Sequence, residues 1–153
     1  MSRIILTADD SASMREMINF TLQNAGYEVL EAADGREALA KILRHAPHLL
    51  ITDLNMPHMD GLELIRQVRA LPQCRYLPIV MLTAESRDDQ KQAGRAAGAS
   101  GWIVKPFRSE QRVLVAELVF VSLKLGQIDL PRNAAGGFLK FNHQVAFSRL
   151  RTY

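Results

Sequence analysis

Five short aliphatic runs, separated by segments of helical period, limit the possible folds of this chain more than any other feature of its 153 residues. They lie at residues 4–8, 27–30, 49–52, 79–82 and 102–104. None shows polar alternation, as expected of strands buried on both faces. Between the first two, Met14, Ile18, Leu22 and Ala25 recur on one helical face. Ala38, Leu39, Ile42 and Ala46 do the same in the next segment. The punctuation agrees. Gly26 stands where a helix C′ residue would, and Asp34 with Glu37 reads as a capping-box variant. Asp60-Gly61 can start a third helix, and Gly98 can stop a fourth. Strands alternating with helices imply parallel pairing through right-handed crossovers. The expected class is a doubly wound α/β domain over residues 1–125, with five parallel strands and a C-terminal extension at 126–153.

Composition narrows the setting. The apolar run near the N-terminus is too short for a signal peptide or a membrane span. One cysteine, Cys74, leaves no internal disulfide, so a reduced, cytoplasmic setting is expected. The net charge of +3 comes from the tail: Arg132, Lys140, Arg149 and Arg151, without an acid, give residues 131–153 a charge of +4. Scattered charges of this kind are usually solvated, and neither nucleic-acid nor membrane contact is expected. Gly94, Gly98 and Gly101 form no phosphate-cradling loop, and His45, His48, His58 and His143 lack metal-ligand spacing with Cys74.

In an open parallel sheet, ligands bind beyond the carboxyl ends of the strands. There the chain carries Asp9-Asp10 after the first run, Asp53 after the third, Thr83 after the fourth and Lys105-Pro106 after the fifth. Carboxylates crowded together repel, and a hard divalent cation such as Mg²⁺ relieves the repulsion through oxygen ligands. A carboxylate can also act as a nucleophile and form an acyl phosphate. Lys105 would supply a point charge and Thr83 a hydroxyl for the phosphoryl oxygens. Each residue alone has a plainer role: a strand-end Asp caps a helix, a Thr follows β-propensity, and a Lys before Pro is solvated. The ordered set across separate strand ends is what points to phosphoryl chemistry.

With these residues the chain resembles the receiver domains of bacterial response regulators, and among them the stand-alone CheY-like chemotaxis type. The matching stretches are Asp9-Asp10-Ser11, Thr52-Asp53-Leu54-Asn55-Met56-Pro57, Met59-Asp60-Gly61, Leu82-Thr83-Ala84 and Lys105-Pro106-Phe107. The resemblance implies a flavodoxin/CheY-like sheet of order 2-1-3-4-5. It implies Asp53 as the phospho-acceptor, and Mg²⁺ held by Asp10, Asp53 and the backbone carbonyl of Asn55, with Asp9 directed at a metal-bound water. Thr83 and Lys105 would contact the phosphoryl group, and Thr83 with Trp102 would form the switch. A sensor histidine kinase would be the donor, and a downstream protein, such as a flagellar motor switch, the target. Such a domain assists its own phosphorylation and dephosphorylation but is not an enzyme acting on external substrates. Two alternatives stay open: a phosphorelay intermediate, and a small Mg²⁺-dependent phosphohydrolase with an Asp nucleophile. Haloacid-dehalogenase-like phosphohydrolases carry a second Asp two positions after the nucleophile, where this chain has Asn55. A helix-turn-helix domain needs more residues than the tail offers, which favours the chemotaxis type.

Two features depart from that pattern. Trp102 is bulkier than the Tyr or Phe usual at its position. In residues 110–125, Leu114, Leu118, Val121 and Leu125 form one stripe, while Val113, Val115, Val119, Phe120 and Leu123 lie off it. A helix there would be apolar nearly all round. Either the tail folds over it, or a second copy buries it in a homodimer through residues 110–153. Light scattering should therefore give a dimer, or hydrogen exchange should show a protected tail; a monomer with an unprotected tail excludes both forms.

Overall fold

The computed structural model describes residues 3–24, 26–83, 88–104 and 139–140. In chain order these form β1 (Ile4–Ala8), α1 (Ala12–Asn24), β2 (Glu28–Ala32), α2 (Gly35–His45), β3 (Leu49–Asp53), α3 (Gly61–Ala70), a 3₁₀ turn (Pro72–Cys74), β4 (Ile79–Thr83), α4 (Asp88–Ala97), β5 (Gly101–Val104) and β6 (Leu139–Lys140). The first five strands pair in the order β2-β1-β3-β4-β5, all parallel, as expected. The short β6 adds a sixth strand beside β5, also parallel, with Gly101 opposite Leu139 and Trp102 opposite Lys140. A strand of two residues leaves no periodic signal, so the sequence did not announce it. The apolar segment 110–125 lies outside the described residues.

Burial explains why the runs are aliphatic without alternation. On one face of the sheet, Leu6, Ala8, Leu50, Ile79 and Met81 pack with Ala38 and Ile42 of α2, Leu64, Ile65 and Val68 of α3, and Ala97 of α4. On the other, Ile5, Leu49, Ile51, Val80 and Leu82 pack with Ile18 and Leu22 of α1. Successive strand residues point to opposite faces, and both faces are covered. All five residues of β3 are buried. Each fully buried aliphatic side chain contributes about 1.5–3 kcal/mol relative to exposure. The edge strand β2 is different. Glu28 and Glu31 are exposed, so its polar positions obscured its true extent, which runs to Ala32 rather than ending at residue 30.

The helix signals took the expected places, with one correction. Asp34 caps α2 by accepting the Glu37 N–H at 2.9 Å, and Glu37 Oε2 accepts the Ala33 N–H at 3.0 Å. Asp60 caps α3 by accepting the Glu63 N–H at 2.8 Å. Gly98 ends α4 at φ 115°, a left-handed conformation suited to glycine. Ala46 does not share the buried face of α2. It is exposed, and it ends the helix in the left-handed region at φ 47°. No helix among the described residues is long and apolar enough to cross a membrane.

The Ala33 N–H, and then Lys41 at 3.1 Å, hold the Glu37 carboxyl below its ordinary value of 4.5. A carboxyl depressed in the folded state stabilises above its unfolded pKa, and the gain is lost as pH falls through the folded one. Glu37→Gln should therefore be less stable than wild type in urea unfolding at neutral pH, and the difference should shrink below pH 4.5.

Candidate functional site

Register brings the strand ends into line. Ala8 pairs with Thr52, Asp53 with Leu82, and Thr83 with Val104. The next residue after β1 is Asp9, the last of β3 is Asp53, and the last of β4 is Thr83. Asp9, Asp10 and Asp53 each present a carboxylate oxygen, and these oxygens lie within 4.8 Å of one another. Asp9 and Asp53 are buried, at 1% and 8% exposure, while Asp10 is exposed.

Local bonds hold each acid in place. Asp9 Oδ1 accepts the Ser11 N–H at 2.9 Å, which closes the turn into α1. The Asp9 N–H donates to the Ala32 carbonyl at 3.0 Å, and Arg15 donates to the Asp9 carbonyl at 2.6 Å while pairing with Glu31. The start of α1 and the end of β2 thus clamp the Asp9 backbone. Asp53 Oδ1 accepts the Leu54 N–H at 2.8 Å, and its carbonyl accepts the Thr52 hydroxyl at 2.9 Å.

Gly61 was expected only as a helix start, yet it governs the site's rear wall. Its N–H donates to the Leu54 carbonyl at 2.8 Å. A Cβ at Gly61 would lie 2.0 Å from the Asp53 carbonyl oxygen and 2.9 Å from Leu54 Cα, so α3 rests directly on the Asp53 backbone. Between Leu54 and Gly61 the chain turns tightly. The Met59 N–H donates to the Pro57 carbonyl at 2.7 Å around His58, whose φ is 67°. The Met59 carbonyl then accepts the Gly35 N–H at 3.1 Å, tying this loop to α2. Sequence spacing could not reveal these approaches, because they join residues distant along the chain.

The other expected residues are distributed as follows. Asn55 is exposed in the loop after Asp53. Trp102 is 7% exposed and packs in the core layer that contains Met81, its partner across the β4–β5 ladder. Lys91 Nζ of α4 sits 4.9 Å from the centre of its ring. Lys105 lies outside the described residues, immediately after β5. Among the described residues, no histidine joins the acidic cluster.

The donor set fits a hard divalent cation: three carboxylates, two of them withdrawn from water, with no soft ligand. Without one, their like charges oppose each other at close range.

The family model for the response regulator receiver domain matches residues 5–117. The chain is 45% identical over 105 residues to chemotaxis protein CheY1 of Helicobacter pylori, a match covering 67% of this chain and 85% of that protein. It is 40% identical over 129 residues to the phosphate regulon transcriptional regulatory protein PhoB of Pseudomonas aeruginosa, covering 84% of this chain but 56% of PhoB. Among solved structures, chemotaxis response regulator CheY4 of Vibrio cholerae superposes with a TM-score of 0.73 at 47% identity, covering 78% of this chain and 99% of that one.

Charge repulsion in the cluster predicts a reversal. With chelator present, Asp10→Asn should raise the Tm, because one like charge is gone. With Mg²⁺ added, wild type should gain more in Tm than Asp10→Asn. Thermal scans of both proteins in both conditions check the two signs.

Proposed function

The chain belongs to the response regulator receiver domain family, and from that membership we propose that Asp53 accepts a phosphoryl group from a sensor histidine kinase. The observation that carries the proposal is the meeting of Asp9, Asp10 and Asp53 at the carboxyl end of a parallel sheet, with Thr83 ending the neighbouring strand. Family membership supports a role in two-component signalling, since receiver domains are typically signalling proteins rather than classical enzymes.

The chain's own groups account for the transfer. A carboxylate oxygen of Asp53 attacks the phosphorus of a phosphohistidine. A P–O bond forms, giving an acyl phosphate, and the P–N bond breaks with its electron pair leaving on the imidazole, which takes up a proton from water. The Leu54 N–H fixes the plane of the Asp53 carboxyl before attack, so less ordering is needed at the moment of transfer. Thr83 donates its hydroxyl to one phosphoryl oxygen. Lys105 follows Val104, the ladder partner of Thr83, and its ammonium pairs with another. Asp10, Asp53 and the Asn55 carbonyl would hold Mg²⁺, with Asp9 acting through a bound water; when bound, the ion offsets the crowded negative charge.

Phosphorylation then repositions Thr83 and Trp102, which changes the surface around α4 and β5. The target is a protein, with a flagellar motor switch as the chemotaxis-type candidate. Likeness to CheY1 and CheY4 over most of their lengths supports the chemotaxis type. The setting is cytoplasmic. Cys74 is a buried free thiol whose pKa burial pushes up.

Acetyl phosphate with Mg²⁺ should add one phosphoryl mass to the wild-type chain and none to Asp53→Asn. Equal addition to both proteins would remove Asp53 as the acceptor.

A further inference from the structure

A single planar peptide joins Asp9 to Asp10, so its orientation bears on where both carboxylates stand. Arg15 holds that peptide. In the first turn of α1, its Nη1 donates to the Asp9 carbonyl at 2.6 Å. Its Nε faces Glu31 Oε1 of β2 at 3.4 Å. The Arg15 side chain is 18% exposed, whereas that of Glu31 is 51% exposed, so the contact to Asp9 is the better shielded end of the bridge. A guanidinium is a rigid, planar fork, and anchoring one edge on Glu31 aims the other at Asp9. The peptide on the other side of Asp9 is tethered as well, through its N–H to the Ala32 carbonyl at 3.0 Å. Both tethers therefore trace to Glu31 and Ala32, the last two residues of β2. α2 steadies that strand end, for Lys41 donates to the Glu31 carbonyl and pairs with Glu37 at 3.1 Å.

We propose that Arg15, anchored by Glu31, is a positioning residue for the acid cluster: it fixes the Asp9–Asp10 peptide so that the carboxylates meet the strict geometry of Mg²⁺, and so sets the selectivity between Mg²⁺ and larger dications. This rests on the reading that Asp9, Asp10 and Asp53 serve a Mg²⁺ site. Mg²⁺ demands near-octahedral oxygens at about 2.0–2.1 Å, whereas Ca²⁺ accepts about 2.3–2.6 Å in looser arrangements. Freedom in the Asp9–Asp10 peptide therefore harms Mg²⁺ binding more than Ca²⁺ binding. Groups that orient metal ligands without touching the ion commonly account for about 10- to 100-fold in affinity, and a tether on the backbone belongs at the lower end. Charge alone predicts something else. As a bare positive charge, Arg15 would repel any dication, and its removal would tighten Mg²⁺ and Ca²⁺ binding alike. As a bare negative charge, Glu31 would do the reverse.

The test uses the full chain, with Arg15→Met to remove both fork and charge, and Glu31→Ala to remove only the anchor on the exposed edge of β2. The two substitutions change the net charge in opposite directions. Calorimetric titration with MgCl₂ and, separately, with CaCl₂ gives a Kd for each ion. Mg²⁺ binding should weaken about 10-fold in Arg15→Met and by a smaller factor in Glu31→Ala. In both variants the Kd for Mg²⁺ should rise relative to that for Ca²⁺. Partial unfolding or a change of charge acts on the two ions equally and leaves their ratio alone. An unchanged ratio in either variant, or tighter Mg²⁺ binding by Arg15→Met, overturns the proposal. Absence of Mg²⁺ binding by wild type would overturn the reading of the cluster as a Mg²⁺ site, and this proposal with it.

Discussion

The parallel ladder between β1 and β3 is the constraint on which the site depends. By pairing Ala8 with Thr52, it sets Asp9 and Asp53 side by side at the same end of the sheet. Both are buried acids, and neither would choose the other's company in water. Packing on both faces of β1 and β3 forces the proximity, since slipping the register by one residue would turn every buried side chain to the wrong face. The aliphatic core thus stabilises an arrangement that electrostatics opposes, and leaves a cluster ready for positive charge.

The surroundings stiffen that arrangement from two sides. Arg15 and Ser11 fix the chain at Asp9, while Leu54 and Gly61 fix it at Asp53. Farther along the sheet, the opposite end of α4 is anchored. Arg69 of α3 donates to the Gly98 carbonyl at 2.8 Å, to the Cys74 carbonyl at 3.0 Å and to the Ser100 hydroxyl at 3.4 Å. Its side chain also fills the space that a Cβ at Gly98 would need.

Much of this was legible in the sequence, for particular reasons. The strands showed because burial on both faces demands unbroken aliphatic runs, and β3 is the clearest case. The caps showed because Asp34 and Asp60 act on backbone three residues away. β2 was misjudged because an edge strand admits glutamates. Ala46 was misjudged because helical spacing alone cannot tell the last buried turn from the residue that ends it. Gly61 was undervalued because its demand for space comes from Asp53, which belongs to another element.

By itself, then, the sequence determined the alternation of strands and helices, the parallel pairing which that alternation implies, and the identity of the acids waiting at the strand ends. These are local or periodic properties, and they need no knowledge of distant neighbours. Only the tertiary structure decided how close those acids stand, that Gly61 props the Asp53 backbone, that Trp102 packs inward under Lys91, and that a short segment of the tail joins the sheet beside β5. Each of these is a contact between residues far apart in the chain, set by how whole layers pack.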